Sequence, residues 1–214
     1  RAYRRVGRGW HGDDGEALAE LLAAHEASRL LAVTRSGLAG SVGVSARCHA
    51  HVLAEASVEG APEFMPGEPV IQTKNDYVRG LWNGDQGVVA RVVDEDGQQH
   101  FRIVFRKSVD VVREGGDVVK EDQLVPFPVD ALRGGLELAW AMTVHKSQGS
   151  EFGQAILLLP DADVPIMSRE LVYTALTRAR SSAVVVGDAG VLCDGGARKA
   201  VRSTGLAKRL GLDT

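Results

Sequence analysis

Three short apolar runs, Leu136 to Met142, Ala155 to Leu159 and Ala183 to Val186, constrain the fold of this chain more than any other feature. They are rich in Val, Ile, Leu and Ala without strict alternation, the pattern of strands covered on both faces in a parallel α/β sheet. Between the second and third, Ser168 to Arg178 sets Leu171, Ala175 and Arg178 at helical spacing behind Ser168 as an N-cap. Strand, helix, strand predicts a βαβ crossover. Sheets of this kind take ligands beyond the carboxyl ends of their strands. The first run stops abruptly in Thr143-Val144-His145-Lys146-Ser147-Gln148-Gly149-Ser150-Glu151, and a second polar run, Tyr173 to Arg180, precedes the third. Two polar edges beside buried strands predict a single site.

A length of 214 residues holds one large domain, or a medium domain with an insertion. The formal charge of −3 gives the whole chain no strong pull on nucleic acid or membrane, so any polyanion site must be local. Cys48 and Cys193 are far apart and in no zinc-like spacing, which points to a reducing cytosol and argues against a metal site. With neither an apolar run of about 18 residues nor a basic-then-apolar leader, the expectation is a cytoplasmic chain with no membrane span. Its first residue is Arg1 rather than Met, which suggests a piece of a longer protein.

Along the chain, the arginines and glycines of Arg1 to Asp14 fit a solvated connector, with phosphate contact as the alternative. Gly15 to Ser28 predicts an amphipathic helix, Leu30 to Thr34 a buried strand, and Val42 to Ala56 a second helix. Arg35 follows the strand directly, placed to reach a ligand at the sheet edge; spacing alone equally accommodates a surface arginine in a loop. His49 and His51 are two apart and make a poor metal pair on a helix. After the break at Gly60 to Pro69, alternating strands at Val70–Thr73, Gly87–Val93, His100–Phe105 and Val109–Val112 predict a small antiparallel barrel that closes near Leu124 to Pro128. The parallel pattern then resumes. The tail is glycine-rich after Asp188 and ends in a predicted helix from Ala197 to Leu212.

Thr143, His145, Lys146, Ser147 and Gln148 bring together the donors used to hold phosphate oxygens. Gly149 permits close backbone approach, Glu151 can accept from a sugar hydroxyl, and Arg178 supplies a cationic fork. No nucleophile elbow or Cys-based arrangement of a hydrolase is visible. Met142 to Phe152 resembles motif V of superfamily 1 helicases, and Val172 to Arg180 resembles motif VI, in the same order and separation. Gln72 to Tyr77 and Trp82 to Gly87 resemble the segment leading into the small barrel of RecD-type members. A weaker echo occurs at Ser203 to Ala207.

The resemblance implies a RecA-like second motor domain, α/β with a parallel sheet, interrupted by an antiparallel β-barrel insertion. Residues 1–66 would open the motor domain, 67–128 form the insertion, and 129–214 complete the domain with motifs V and VI. It places Arg178 on the arginine that contacts the γ-phosphate, and Gln148, Gly149 and Glu151 near the triphosphate and ribose. Arg35 falls on the motif IV arginine, which also approaches phosphate. Thr143, His145, Lys146 and Ser147 fall on or beside the family's contacts to single-stranded DNA. In the insertion, Lys74, Tyr77 and Trp82 are candidate further contacts, with buried packing as the alternative for the two aromatics. ATP with Mg2+ is the implied cofactor, and the implied partners are an upstream P-loop motor domain and the RecB and RecC subunits of exodeoxyribonuclease V. No G-x-x-x-x-G-K-[ST] occurs in the sequence, so the chain alone is expected not to hydrolyse ATP. Two other readings stay open: a non-catalytic nucleic-acid-binding or docking module with a motor-like fold, and a stand-alone or relaxase-linked helicase of the same type.

Overall fold

The computed structural model describes residues 1–200 apart from 58, 59, 61, 114 and 115. In chain order the elements are β1 (Ala2–Val6), β2 (Gly9–Trp10), α1 (Asp14–Ala27), β3 (Ser28–Ala32), α2 (Ser41–Ala56), β4 (Pro69–Gln72), β5 (Gln86–Val93), β6 (Gln99–Val112) and β7 (Val118–Pro128). They continue with α3 (Val129–Leu132), β8 (Leu136–Leu138), β9 (Ala141–Thr143), β10 (Phe152–Leu158), α4 (Arg169–Leu176), β11 (Ala179–Val186) and α5 (Ala189–Ala197). The strands divide between two sheets. One is wholly parallel, in the order β11-β10-β3-β9, and the other is built around β5. The α/β class with an antiparallel insertion is therefore present as expected.

The parallel sheet is centred on β3 and β10, whose Leu31, Ala155 and Leu157 join Met142, Phe152, Leu171 and Ala175 in one buried cluster. Helix α4 supplies the last two from one face, and the Ser168 hydroxyl accepts from Leu171 N–H at 3.3 Å as the N-cap. Gly153 is where β10 passes closest to α1: a Cβ there would stand 2.6 Å from the Ala27 carbonyl oxygen.

In the second sheet, β5 is buried on both faces. Val88, Ala90 and Val92 pack under Leu18 and Leu22 of α1, while Val89 joins Ile103, Phe105 and Leu136 on the other side. One edge of β5 pairs with β6; the other takes β4 at its start and β1, in parallel, at its end. The pairings leave this sheet open among the described residues, where a closed barrel was expected. Strands β6 and β7 also outrun it. Pairing with β5 ends at Phe105, and Arg106 to Val112 continue only against Val118 to Leu124, as a two-stranded ribbon.

Several expectations change. The Arg1 to Asp14 connector is a β-hairpin that adds to the insertion sheet, since Gly7 at φ 56° lets the chain turn and Tyr3 reaches the core under α1. The run Leu136 to Met142 is two strands in different sheets: β8 pairs with β4, the chain bends at Ala139-Trp140, and β9 joins the parallel sheet. His100–Phe105 and Val109–Val112 are one strand, β6. Ala183 to Val186 is not covered on both faces; β11 is an edge strand with Val184 and Val186 exposed. The glycine-rich stretch after Asp188 contains helix α5, capped by the Asp188 carboxylate. The predicted terminal helix to Leu212 and the Ser203 to Ala207 echo lie largely or wholly outside the described residues.

Gly153→Ala pushes α1 and β10 apart and is expected to lower stability by about 1–3 kcal/mol. The check is the denaturant midpoint, and an unchanged value would show that Ala27 yields without cost.

Candidate functional site

Strand β9 runs parallel to β3, with Thr143 opposite Ala32, so Thr143 stands at the carboxyl end of the sheet. The chain then turns tightly. Ser147 N–H donates to the Thr143 carbonyl at 3.1 Å, and Lys146 N–H donates to the Thr143 hydroxyl oxygen at 3.2 Å. The turn exposes His145 and Gln148, while Gly149, at φ 85°, reverses the chain with open space where a side chain would stand. Ser147 points the other way. It is 0% exposed and its hydroxyl donates to the Val144 carbonyl at 2.7 Å, so it supports the turn and does not present to DNA.

From there the chain does not stay at the carboxyl end. Phe152 begins β10 at the amino end, where its N–H donates to the Arg178 carbonyl at 2.8 Å and pairs it with Ala179 at the start of β11. Between those ends lie about five residues of β3, or roughly 15 Å. The two polar edges therefore do not form the single carboxyl-end site expected: Thr143, His145 and Lys146 lie at one end of the sheet, and Glu151 and Arg178 at the other. The Val144 to Glu151 segment spans the distance.

Arg178 is half-buried just beyond the end of α4. Its Nε donates to the Thr174 carbonyl at 3.2 Å and its Nη1 to the Ser150 carbonyl at 3.3 Å, and it has no ion pair among the described residues. Arg180, two residues on, is paired with Glu151 at 3.0 Å in an exposed contact. Arg178 is thus a cation pinned by neutral carbonyls, with charge left to offer to an anion.

Arg35 stands at the carboxyl end, following β3, and is not brought together with Arg178. Both of its terminal nitrogens donate to Glu137 on β8, at 3.0 and 2.8 Å, and Lys146 Nζ lies 3.6 Å from the same carboxylate. Hydrogen bonding from Arg35, reinforced by the charge of Lys146, holds the Glu137 carboxyl below the ordinary carboxylate range although burial opposes it. Glu137 escaped notice in the sequence because it sits inside an apolar run. The available signal was the lone acid in that run, just before motif V.

In the insertion, Lys74 is exposed and Trp82 is 49% exposed, set edge-on to a 76% exposed Tyr77 with ring centroids 5.4 Å apart. The aromatics are available at the surface rather than packed away. Among the described residues no group of His, Cys, Asp or Glu is arranged to hold a metal ion. His49 instead engages the buried Glu68 at 2.9 Å and the Pro62 carbonyl at 3.0 Å.

Because hydrogen bonding from Arg35 lowers its folded-state pKa, Glu137 adds stability that is fully present above its unfolded pKa and is lost as pH falls through the lower folded one. Wild type is therefore expected to exceed Glu137→Gln in denaturant midpoint at neutral pH, with the gap closing in acid. A gap that widened in acid would contradict the pairing with Arg35.

A family model described as the UvrD-like helicase C-terminal domain matches residues 138–186, which include both polar edges. The RecBCD enzyme subunit RecD of Mycobacterium tuberculosis is 34% identical over 195 residues, covering 88% of this chain and 30% of the relative. The ATP-dependent RecD2 DNA helicase of Deinococcus radiodurans is 38% identical over 149 residues, or 69% of this chain and 18% of that protein. The chain thus spans less than a third of the length of these curated relatives. Among solved structures, a Bacteroides Pif1 helicase in complex with ADP-AlF3 and ssDNA aligns with 92% of this chain and 49% of its own, at 20% identity and a TM-score of 0.46. The matched domain carries both polar edges and the alignment to RecD continues over most of the remaining sequence, so the chain is RecD-like and carries a UvrD-like helicase C-terminal domain at residues 138–186.

Proposed function

We propose that the chain is the second motor lobe of a RecD-like, ATP-dependent 5′ to 3′ DNA helicase acting in the cytoplasm in double-strand break repair and recombination. The observation that carries this reading is Arg178, a half-buried guanidinium held by two backbone carbonyls and free of any ion pair among the described residues. Such a group is pre-positioned to stabilise negative charge that grows during phosphoryl transfer. Gln148 and Gly149 would offer an amide and an open backbone beside the nucleotide, and Glu151 a carboxylate for the ribose once it leaves Arg180.

The residues fit a nucleotide phosphate from one side only. ATP with Mg2+ supplies the bond to be broken, and the cradle for its phosphates would come from a P-loop lobe, because this sequence contains no such motif. The chain by itself is expected to be inactive. Thr143, His145 and Lys146 would hold the DNA backbone at the carboxyl end of the parallel sheet, with Lys74 and Trp82 extending the track onto the insertion. The Val144 to Glu151 segment joins the two ligands directly, which suits a motor that converts nucleotide state into grip on a strand.

RecB and RecC are the partners this reading favours, since the mycobacterial relative is a RecBCD enzyme subunit. The likeness to the Deinococcus helicase supports a second reading, a motor working without them. Co-purification of RecB and RecC with the tagged native protein decides between the two.

In the intact helicase, Arg178→Ala is expected to abolish ATP turnover while nucleotide binding persists; near-normal turnover would overturn the assignment. Replacing Lys74 and Trp82 together by Ala should weaken single-strand binding, with the aromatic contributing about 1–3 kcal/mol and the lysine lowering the salt slope by about one. Unchanged affinity at low salt would remove the insertion from the track.

A further inference from the structure

Glu137 belongs to the antiparallel sheet, yet its carboxylate is held by two side chains of the parallel lobe, Arg35 and Lys146. A planar fork engaging two oxygens, with an ammonium beside it, is the donor set that recognises a phosphate group. All three side chains line one cavity of about 470 Å³, together with Thr143, Phe64 and Met142. That space is open to an incoming ligand and adjoins the motif V turn.

We propose that Arg35 and Lys146 form a phosphate site in which Glu137 acts as a built-in stand-in anion, displaced when a phosphate enters. The inference rests on the helicase reading and goes beyond it by assigning Glu137 a role. Arg35 and Lys146 face two carboxylates around this cavity, Glu137 and Glu63, the latter 3.8 Å from Arg133; a phosphate that takes the same two-pronged fork must displace Glu137, since two anions cannot share the same pair of N–H donors. Displacement has a mechanical result. The Arg35–Glu137 pair bridges the two sheets, so ligand entry at the carboxyl end releases one of the contacts that hold the insertion against the motor sheet. Glu137 is accordingly a group that competes with the ligand.

The opposite role is physically reasonable and predicts the opposite sign: a Glu137 that merely steadied Arg35 for its ligand would improve binding. Glu137→Gln separates them, because the amide keeps the shape and removes the charge. The phosphate has two possible sources, the DNA backbone and the nucleotide, so the intact helicase is titrated with a fluorescent single-stranded oligonucleotide in the absence of nucleotide, and with a non-hydrolysable ATP analogue in the absence of DNA.

The expected result is binding roughly two- to fivefold tighter in one arm, the arm identifying the source. Arg35→Ala placed in the Glu137→Gln background should cancel the gain. Glu137→Ala, read with a thermal melt, provides the same comparison should the glutamine variant fold poorly. Weaker or unchanged binding in both arms overturns the proposal, as does a gain that survives loss of Arg35. Wild type binding neither probe would overturn the helicase reading together with this inference. Wild type binding normally, with no gain in the variant, overturns this inference alone.

Discussion

Arg29 holds the molecule together at the crossing between its two sheets. It is 3% exposed, and its guanidinium donates to the Ala139 carbonyl at 2.6 Å, the His25 carbonyl at 3.0 Å and the Gln86 side-chain oxygen at 2.7 Å, while lying over the Phe152 ring at 5.3 Å. Among the described residues no carboxylate forms an ion pair with it, and burial lowers its pKa to about 10 although the charge of Glu26 opposes the shift. A buried cation is costly unless most of its hydrogen bonds are met; the two terminal nitrogens of Arg29 find three acceptors while its Nε is left without one among the described residues, so the groups that do engage it are held to one arrangement. On the far side of the same crossing, Glu68 is 0% exposed and accepts from Trp140 Nε1, Met65 N–H and the His49 ring. The points where the chain enters the second sheet, at Met65 to Pro69, and leaves it, at Ala139-Trp140, are thereby fixed by opposite charges that do not touch each other.

That anchoring gives the motif V segment its significance. Because β9, β3 and β10 are parallel, the chain must travel the length of the sheet between Thr143 and Phe152, and it does so with Val144 and Ser147 buried and His145, Gln148 and Glu151 facing out. Phe152 ends the journey against Arg29 and against the carbonyl of Arg178. A side chain fixing the insertion therefore also fixes the strand that positions the arginine proposed to meet nucleotide. The two proposed ligand regions are connected by covalent chain, one aromatic contact and one backbone hydrogen bond.

The sequence disclosed these regions unevenly, for physical reasons. Helix α4 was legible because its apolar spacing, its Ser168 cap and its polar C-terminal end all agree. Parallel strands were legible from composition. Their coverage was not: the valines of β11 look like those of a buried strand, and hydrophobicity says nothing about which neighbours are present. The switch between sheets at Ala139-Trp140 was hidden because both residues are apolar, so the run continues in sequence while it bends in space. Arg29 and Glu137 went unread because a charge in an apolar run identifies no partner, and one partner of each, Ala139 and Arg35, is more than 100 residues away. The placement of Thr143 and Arg178 at opposite ends follows from strand direction, which motif spacing does not encode.

The ribbon formed by the outer halves of β6 and β7 extends past the sheet that supports it, leaving two lengths of strand edge without a paired strand among the described residues. Free edges of this kind recruit strands from other molecules. One feature of its β7 half opposes such self-association: Lys120, Glu121 and Asp122 bring charge that a stacked copy would have to desolvate, and Pro126 and Pro128, which have no N–H, stop the free edge from continuing along β7 beyond the ribbon. The ribbon can project into a crowded solution without acting as a template for aggregation.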